Sequence, residues 1–220
     1  LKSILESIKY EADPVKDIWY LIAAVTISAV NHPEDIHNVY SVISERIDKT
    51  FNNQNDQLKA KVVLRLREAI LKSYIIVGFP KTINGLNHLG RATPDSVKAL
   101  LSTEPLRKEE DWSAVVAQRK RGRELFGKIY ERHTQRVIDS MAGSHPDLAQ
   151  TALYHLYGPT LGETSVLDAR ETSLLTVASL MIQNIPLQLI GHSHGALHNG
   201  ATKDDLARIQ SIVSMLAEHY

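Results

Sequence analysis

The segment Gly191-His-Ser193-His-Gly195 fits G-x-S-x-G, the pattern that holds the nucleophile of serine hydrolases on a strand-to-helix turn. The apolar Leu187-Gln-Leu-Ile190 before it could pass for the strand. That chemistry needs an acid and a later histidine, each after a further strand. The partners left after it, Asp204, Asp205 and His219, lie on one loop and one helix. A serine hydrolase built on Ser193 is therefore a third-ranked expectation. His194 and His198 are four residues apart and share a helix face, as zinc ligands can. No acid follows at useful spacing before Asp204, so they read as two histidines bordering a polar cavity, and no metal is assigned. The sequence has no cysteine, which removes disulfides, thiolate metal sites and thiol redox chemistry together. It carries no phosphate-binding glycine loop or cofactor fingerprint, so no cofactor is expected.

The elements that must position these residues read as helices. Asp13-Pro14 and Thr93-Pro94-Asp95 offer an N-cap followed by Pro in a first turn. His32-Pro33-Glu34-Asp35 and His145-Pro146-Asp147 place Pro and acids in the same way. Ser165 to Asp168 and Thr202 to Asp205 resemble capping boxes. Leu206, Ile209, Ile212, Val213 and Leu216 mark one face of a final helix. Leu58, Val62, Leu66, Ala69, Ile70, Tyr74 and Val77 mark a long helix in the first half, and Leu125, Ile129, Arg132, Arg136 and Asp139 a third with a partly polar face. No alternating run is bounded by hairpin residues. The fold class is all-α, with about nine to eleven helices.

Composition bounds the partners. The 220 residues are 43% hydrophobic, ample for a core. Lys+Arg and Asp+Glu are both 25, so no electrostatic argument favours nucleic acid or an anionic membrane surface. The longest apolar run, Trp19 to Val30, is shorter than the roughly 18 residues a spanning helix needs. No membrane partner is expected, and Leu1 to Tyr10 does not resemble a secretory signal. The expected location is intracellular, with cytoplasm, mitochondrion and peroxisome left open. The run Leu21 to Pro33 can be laid on Leu174 to Pro186, with Leu21/Leu174, Asn31/Asn184 and Pro33/Pro186 identical. Both are apolar helices ended by Asn-x-Pro, which points to an internal duplication.

Several pieces in order resemble the carboxymuconolactone decarboxylase family, which shares its fold with the AhpD-like alkylhydroperoxidases. Arg121-Gly-Arg-Glu-Leu-Phe-Gly-Lys-Ile-Tyr130 is similar to that family's opening helix, His145-Pro-Asp-Leu148 to its turn, and Tyr157-Gly158 to the following y-G. Leu167-Asp-Ala-Arg-Glu171 resembles its L-x-x-R-E, and His192-x7-Gly200-Ala-Thr-x-Asp-Asp-Leu206 its H-x7-G-x-[ST]-x-E-E-[IL]. In the first half, Leu66-Arg-Glu-Ala-Ile70 and Tyr74-Ile-Ile-Val-Gly-Phe-Pro80 are similar to its closing helix.

The resemblance implies an AhpD-like helical-hairpin fold in two degenerate repeats packed together, a degenerate repeat over 1–105 and a decarboxylase-like domain over 106–220. It implies self-association as a homodimer or homotrimer. The peroxidase branch uses C-x-x-C-x-x-x-H; with His192 as that histidine, the cysteine positions fall on Ile185 and Gln188, so thiol peroxidase chemistry is excluded. The decarboxylase branch needs no cysteine. It requires donors for an enolate-like charge and a proton donor to quench it. His192 and Glu171 are the expected catalytic pair, with His194, Gln188 and Tyr157 expected to bind a small lactone or organic acid. The position matching His192 in the first half is Val39, so one active site per chain is expected, with the first half a structural cover. The alternative is a non-catalytic AhpD-like oligomer with a binding or structural role.

Overall fold

The computed structural model describes residues 1–51 and 55–220. Its elements are α1 (Lys2–Ser7), α2 (Trp19–Ala29), a 3-10 turn (Pro33–Asp35) leading into α3 (Ile36–Phe51), α4 (Asp56–Val77), α5 (Phe79–Ala92) and α6 (Asp95–Lys98). After a connecting strap come α7 (Trp112–Tyr130), α8 (Thr134–Ser144), and α9 (Leu148–Thr151), which runs into a π-helical segment (Ala152–Leu161). The chain ends with α10 (Ala169–Ile182), α11 (Pro186–His198) and α12 (Lys203–Ala217). The described residues contain no strand, so the class is all-α as the sequence implies. Two of the twelve α-helices among the described residues, α6 and α9, are only four residues long, which accounts for the lower count expected from periodicity. No described helix is long and apolar enough to cross a membrane.

All eleven residues of α2 are buried, which is why its sequence has no polar face. It packs against α10, which is buried over Glu171–Leu180. Helices α4 and α12 each lie against both α2 and α10, so the main core joins the two halves of the chain. The two Asn-x-Pro corners share one backbone geometry. Asn31 and Asn184 both take the left-handed conformation, at φ 64° and 52°. At each corner two amides close the Schellman pattern: His32 N–H to Ile27 O and Asn31 N–H to Ser28 O, Ile185 N–H to Leu180 O and Asn184 N–H to Met181 O. Asparagine suits this position because its short polar side chain tolerates αL.

Of the ion pairs that cross between the halves, two hold the acids at the starts of the core helices. Arg65 of α4 donates to Glu171 at the start of α10, 2.6 Å away. Arg208 of α12 reaches both oxygens of Asp17, just before α2, at 2.8 Å. Each closing helix thus holds the N-terminal acid of the other half's core helix.

The structure corrects three local expectations. Asp13-Pro14 starts a turn rather than a helix: Asp13 accepts from Val15 N–H at 3.1 Å, and the residue bonded to the start of α2 is Asp17, which accepts from Trp19 N–H at 3.0 Å. The capping box before α10 uses Asp168 and Glu171 rather than Ser165 and Asp168, because Glu171 is the acid that reaches back to an N-cap amide. The pattern from Leu125 to Asp139 is split at Glu131, whose φ of 45° ends α7. The capping box of Thr202 and Asp205 forms as expected.

Asp17 has a fully buried side chain, so removing its arginine strands a carboxylate in the core. Arg208→Ala is expected to lower the unfolding free energy by about 3 kcal/mol in chemical denaturation at neutral pH. A loss under about 0.5 kcal/mol would mean that the amides of Glu11 and Trp19 satisfy Asp17 unaided.

Candidate active site

A cavity of about 110 Å³ lies between α4, the π-helical segment, α10 and α11. Its wall takes Lys72, Ser73, Ile75 and Ile76 from α4, Tyr157 and Leu161 from the π segment, Thr172, Leu175, Thr176 and Ser179 from α10, and His192 from α11. The α10 hydroxyls fall at i, i+4 and i+7, one face of one helix. Thr176 and Ser179 donate to the carbonyls of Thr172 and Leu175, four residues back, so their oxygens remain acceptors.

Close backbone contacts hold the walls in place. A Cβ on Gly122 would lie 2.4 Å from the Gly158 nitrogen, so α7 and the π segment touch backbone to backbone. A Cβ on Gly195 would lie 2.5 Å from Ile129 Cγ2, which seats α11 on the end of α7. That end carries Tyr130, whose hydroxyl is 3.4 Å from His192 Nε2. His192 is buried, and the burial lowers its pKa to about 4, so the imidazole is neutral at neutral pH. Burial, with the neighbouring Tyr130 hydroxyl adding to it, raises the Tyr157 phenol well above its usual range and keeps it a donor.

Lys72 is the charged member of the wall. Its Nζ donates to Glu163 O at 2.5 Å, Thr172 Oγ1 at 2.7 Å and Leu161 O at 3.4 Å. Burial lowers its pKa to about 8, against an opposing pull from Glu68. Glu68 is itself bound by both terminal nitrogens of Arg107, a strap residue that also donates to Pro159 O at 2.6 Å.

Of the residues singled out by sequence, His192 and Tyr157 meet at the cavity and the others do not. Glu171 serves as a cap: its carboxylate accepts from Asp168 N–H at 3.1 Å and pairs with Arg65, and it is absent from the cavity wall. His194 and Gln188 are exposed and lie off the wall. Ser193 sits in mid-helix, since Gly191–Gly195 is continuous α11, so the strand-turn-helix elbow of a serine hydrolase is not formed there. His198 is engaged elsewhere, with Nδ1 3.0 Å from Ile129 O and Nε2 3.5 Å from Glu131. Sequence reasoning missed Lys72 and Tyr130. Lys72 had a signal: with Glu68 it puts a charge pair beside Ala69, Ile70 and Ser73, on the side of α4 that is buried. Nothing in the spacing marks Tyr130.

No family model matches the sequence, and no solved structure matches it. Two curated relatives do. Peroxisomal protein 2 of Saccharomyces cerevisiae is 29% identical over an alignment of 253 residues, covering 93% of this chain and 89% of the relative. Peroxisomal protein 2 of Schizosaccharomyces pombe is 34% identical over 193 residues, covering 88% and 82%.

The buried imidazole has a consequence for stability. Between the usual histidine pKa of 6.5 and its folded value of about 4, the unfolded chain binds a proton that the folded chain refuses. Stability from this group is therefore full above pH 6.5 and falls as pH drops toward 4, by up to roughly 3 kcal/mol. His192→Gln is expected to flatten the denaturation-against-pH curve in that window by this amount. Parallel curves for both proteins would show that His192 is solvated in solution.

Proposed function

We propose that this chain, which belongs to the Peroxisomal protein 2 family, is a cofactor-free acid/base lyase, similar in kind to carboxymuconolactone decarboxylases, that acts on a small organic acid. The observation that carries the reading is a neutral, buried His192 opening into a cavity that also holds the Lys72 amine and the Tyr157 hydroxyl. Loss of CO2 leaves an enolate-like charge, and the site answers it with a positive charge and hydrogen-bond donors in an apolar wall. An imidazole beside a phenol can accept a proton or relay one, and an imidazolium formed in that wall gives its proton up readily. Glu171 drops out as a reacting group and acts by fixing α10 against α4. In this reading the first half is more than a cover, because α4 supplies Lys72.

Size narrows the substrate. An apolar cavity of about 150 Å³ takes benzene, so 110 Å³ takes a group no larger than benzene, the size of a short acid. The relatives' name places them in the peroxisome, and we assign the same compartment to this chain. Self-association belongs to the same reading, with Leu187 and Ile190 offering an exposed apolar stretch of α11. One observation favours a second reading as a non-catalytic binding protein: every Lys72 proton already has an acceptor inside the fold. That reading expects acid to bind with no CO2 released.

The test is CO2 release from short β-keto acids and from the larger γ-carboxymuconolactone. The short acids are expected to turn over faster, with the rate falling at least about a hundredfold in His192→Ala. Folding and oligomer size are checked in both proteins. No CO2 from any of these acids, with a well-folded wild type, would contradict the lyase.

A further inference from the structure

Lys72 is placed unlike an ordinary structural lysine. Its side chain is 1% exposed, and the wall around it includes Ile75, Ile76, Leu161 and Leu175. The Glu68 carboxylate is 3.8 Å away and is already shared by two nitrogens of Arg107. The other acids nearby are engaged too: Glu171 by Arg65, and the Glu163 side chain by Ser165 N–H at 3.0 Å, with Arg121 at 3.7 Å. The atoms that Lys72 contacts directly are neutral, two carbonyls and one hydroxyl. Such a cation is held by dipoles rather than by a free counter-ion. Burial, helped by the Arg107 guanidinium, brings the amine to about pH 8, so a usable share is free base at neutral pH. On losing a proton the amine keeps its two short bonds, to Glu163 O and Thr172 Oγ1. The contact given up is the long one, to the carbonyl of Leu161, a residue of the cavity wall.

We propose that Lys72 is a nucleophile and forms a Schiff base with the ketone carbon of a short β-keto acid in this cavity. Desolvated lysines in apolar pockets are suited to this role. The amine adds to the carbonyl carbon, and the oxygen takes one proton from the amine and one from solvent and leaves as water. The iminium then draws in the electron pair of the bond to the carboxylate, CO2 departs, and the nitrogen becomes a neutral enamine. The enamine carbon takes a proton from water through His192. Water hydrolyses the resulting iminium, which frees the ketone and restores the amine. The net change is one proton taken up and one CO2 released per keto acid. The CO2-releasing half rests on the lyase reading; the covalent half does not.

The experiment is borohydride reduction of the whole protein with acetoacetate, followed by peptide mass mapping. Reduction locks the adduct on Lys72 as a secondary amine. The expected result is a modified Lys72 peptide in excess over peptides of surface lysines such as Lys120 and Lys203, and loss of that product in Lys72→Met. Lys72→Arg, which keeps the charge, is also expected to lose it, so a folding defect in one variant does not decide the outcome. An isopropyl group on Lys72 would report that CO2 left before reduction. A chain retaining the carboxylate would support the Schiff base, and if no CO2 were evolved before reduction it would contradict the lyase. CO2 release with no adduct on Lys72, or labelling no greater than at the surface lysines, would overturn the proposal while leaving the lyase standing.

Discussion

Two guanidinium–carboxylate pairs decide how the halves of this chain meet. Arg65 takes Glu171 and Arg208 takes Asp17, each arginine from one half and each acid from the other. Both acids stand at the N-terminus of a core helix, where the helix dipole already favours negative charge. They also accept backbone amide bonds, so each carboxylate is fully committed. With α2 buried all round and α10 buried over Glu171–Leu180, hydrophobic burial alone would leave their mutual register loosely specified. The reciprocal pairs set it. The cavity follows from that register, since one wall is α4 of the first half and the others belong to the second.

Burial also explains the site's chemistry. The same desolvation that neutralises His192 lowers Lys72 and raises Tyr157. An apolar cavity thus yields an uncharged base, an amine poised near neutral pH and a phenol that keeps its proton. No two of these groups form an ion pair with each other, so none is consumed by its neighbour. The arrangement depends on close contacts elsewhere, namely Gly122 against Gly158 and Gly195 against Ile129.

The helices were legible where a local rule acts alone. Thr202 and Asp205 form the expected capping box, and the apolar faces of α4 and α12 are the buried ones. Local reading failed where two signals compete. Asp13-Pro14 lost to Asp17, because Asp17 is the acid that Arg208 reaches across the core. Glu171 carries the motif of an active-site glutamate, yet its position in a helix's first turn gives capping an equal claim. His192 and Tyr157 were found through resemblance. Only the Glu68 pair on the buried side of α4 marks Lys72 locally, because its partners at Glu163 and Thr172 lie about a hundred residues away in sequence. His194 and Gln188 share a helix with His192 but face solvent, a distinction fixed only once α11 is seated on α7.

The central claim is that a small keto acid occupies the cavity beside His192 and Lys72. Histidine side-chain NMR with levulinate, a keto acid that does not lose CO2 readily, tests it directly. The His192 signal, assigned by its loss in His192→Gln, is expected to shift saturably while that of exposed His194 stays still, and Lys72→Met is expected to abolish the shift. A His192 signal that stays fixed, or moves no more than that of His194, would contradict the account.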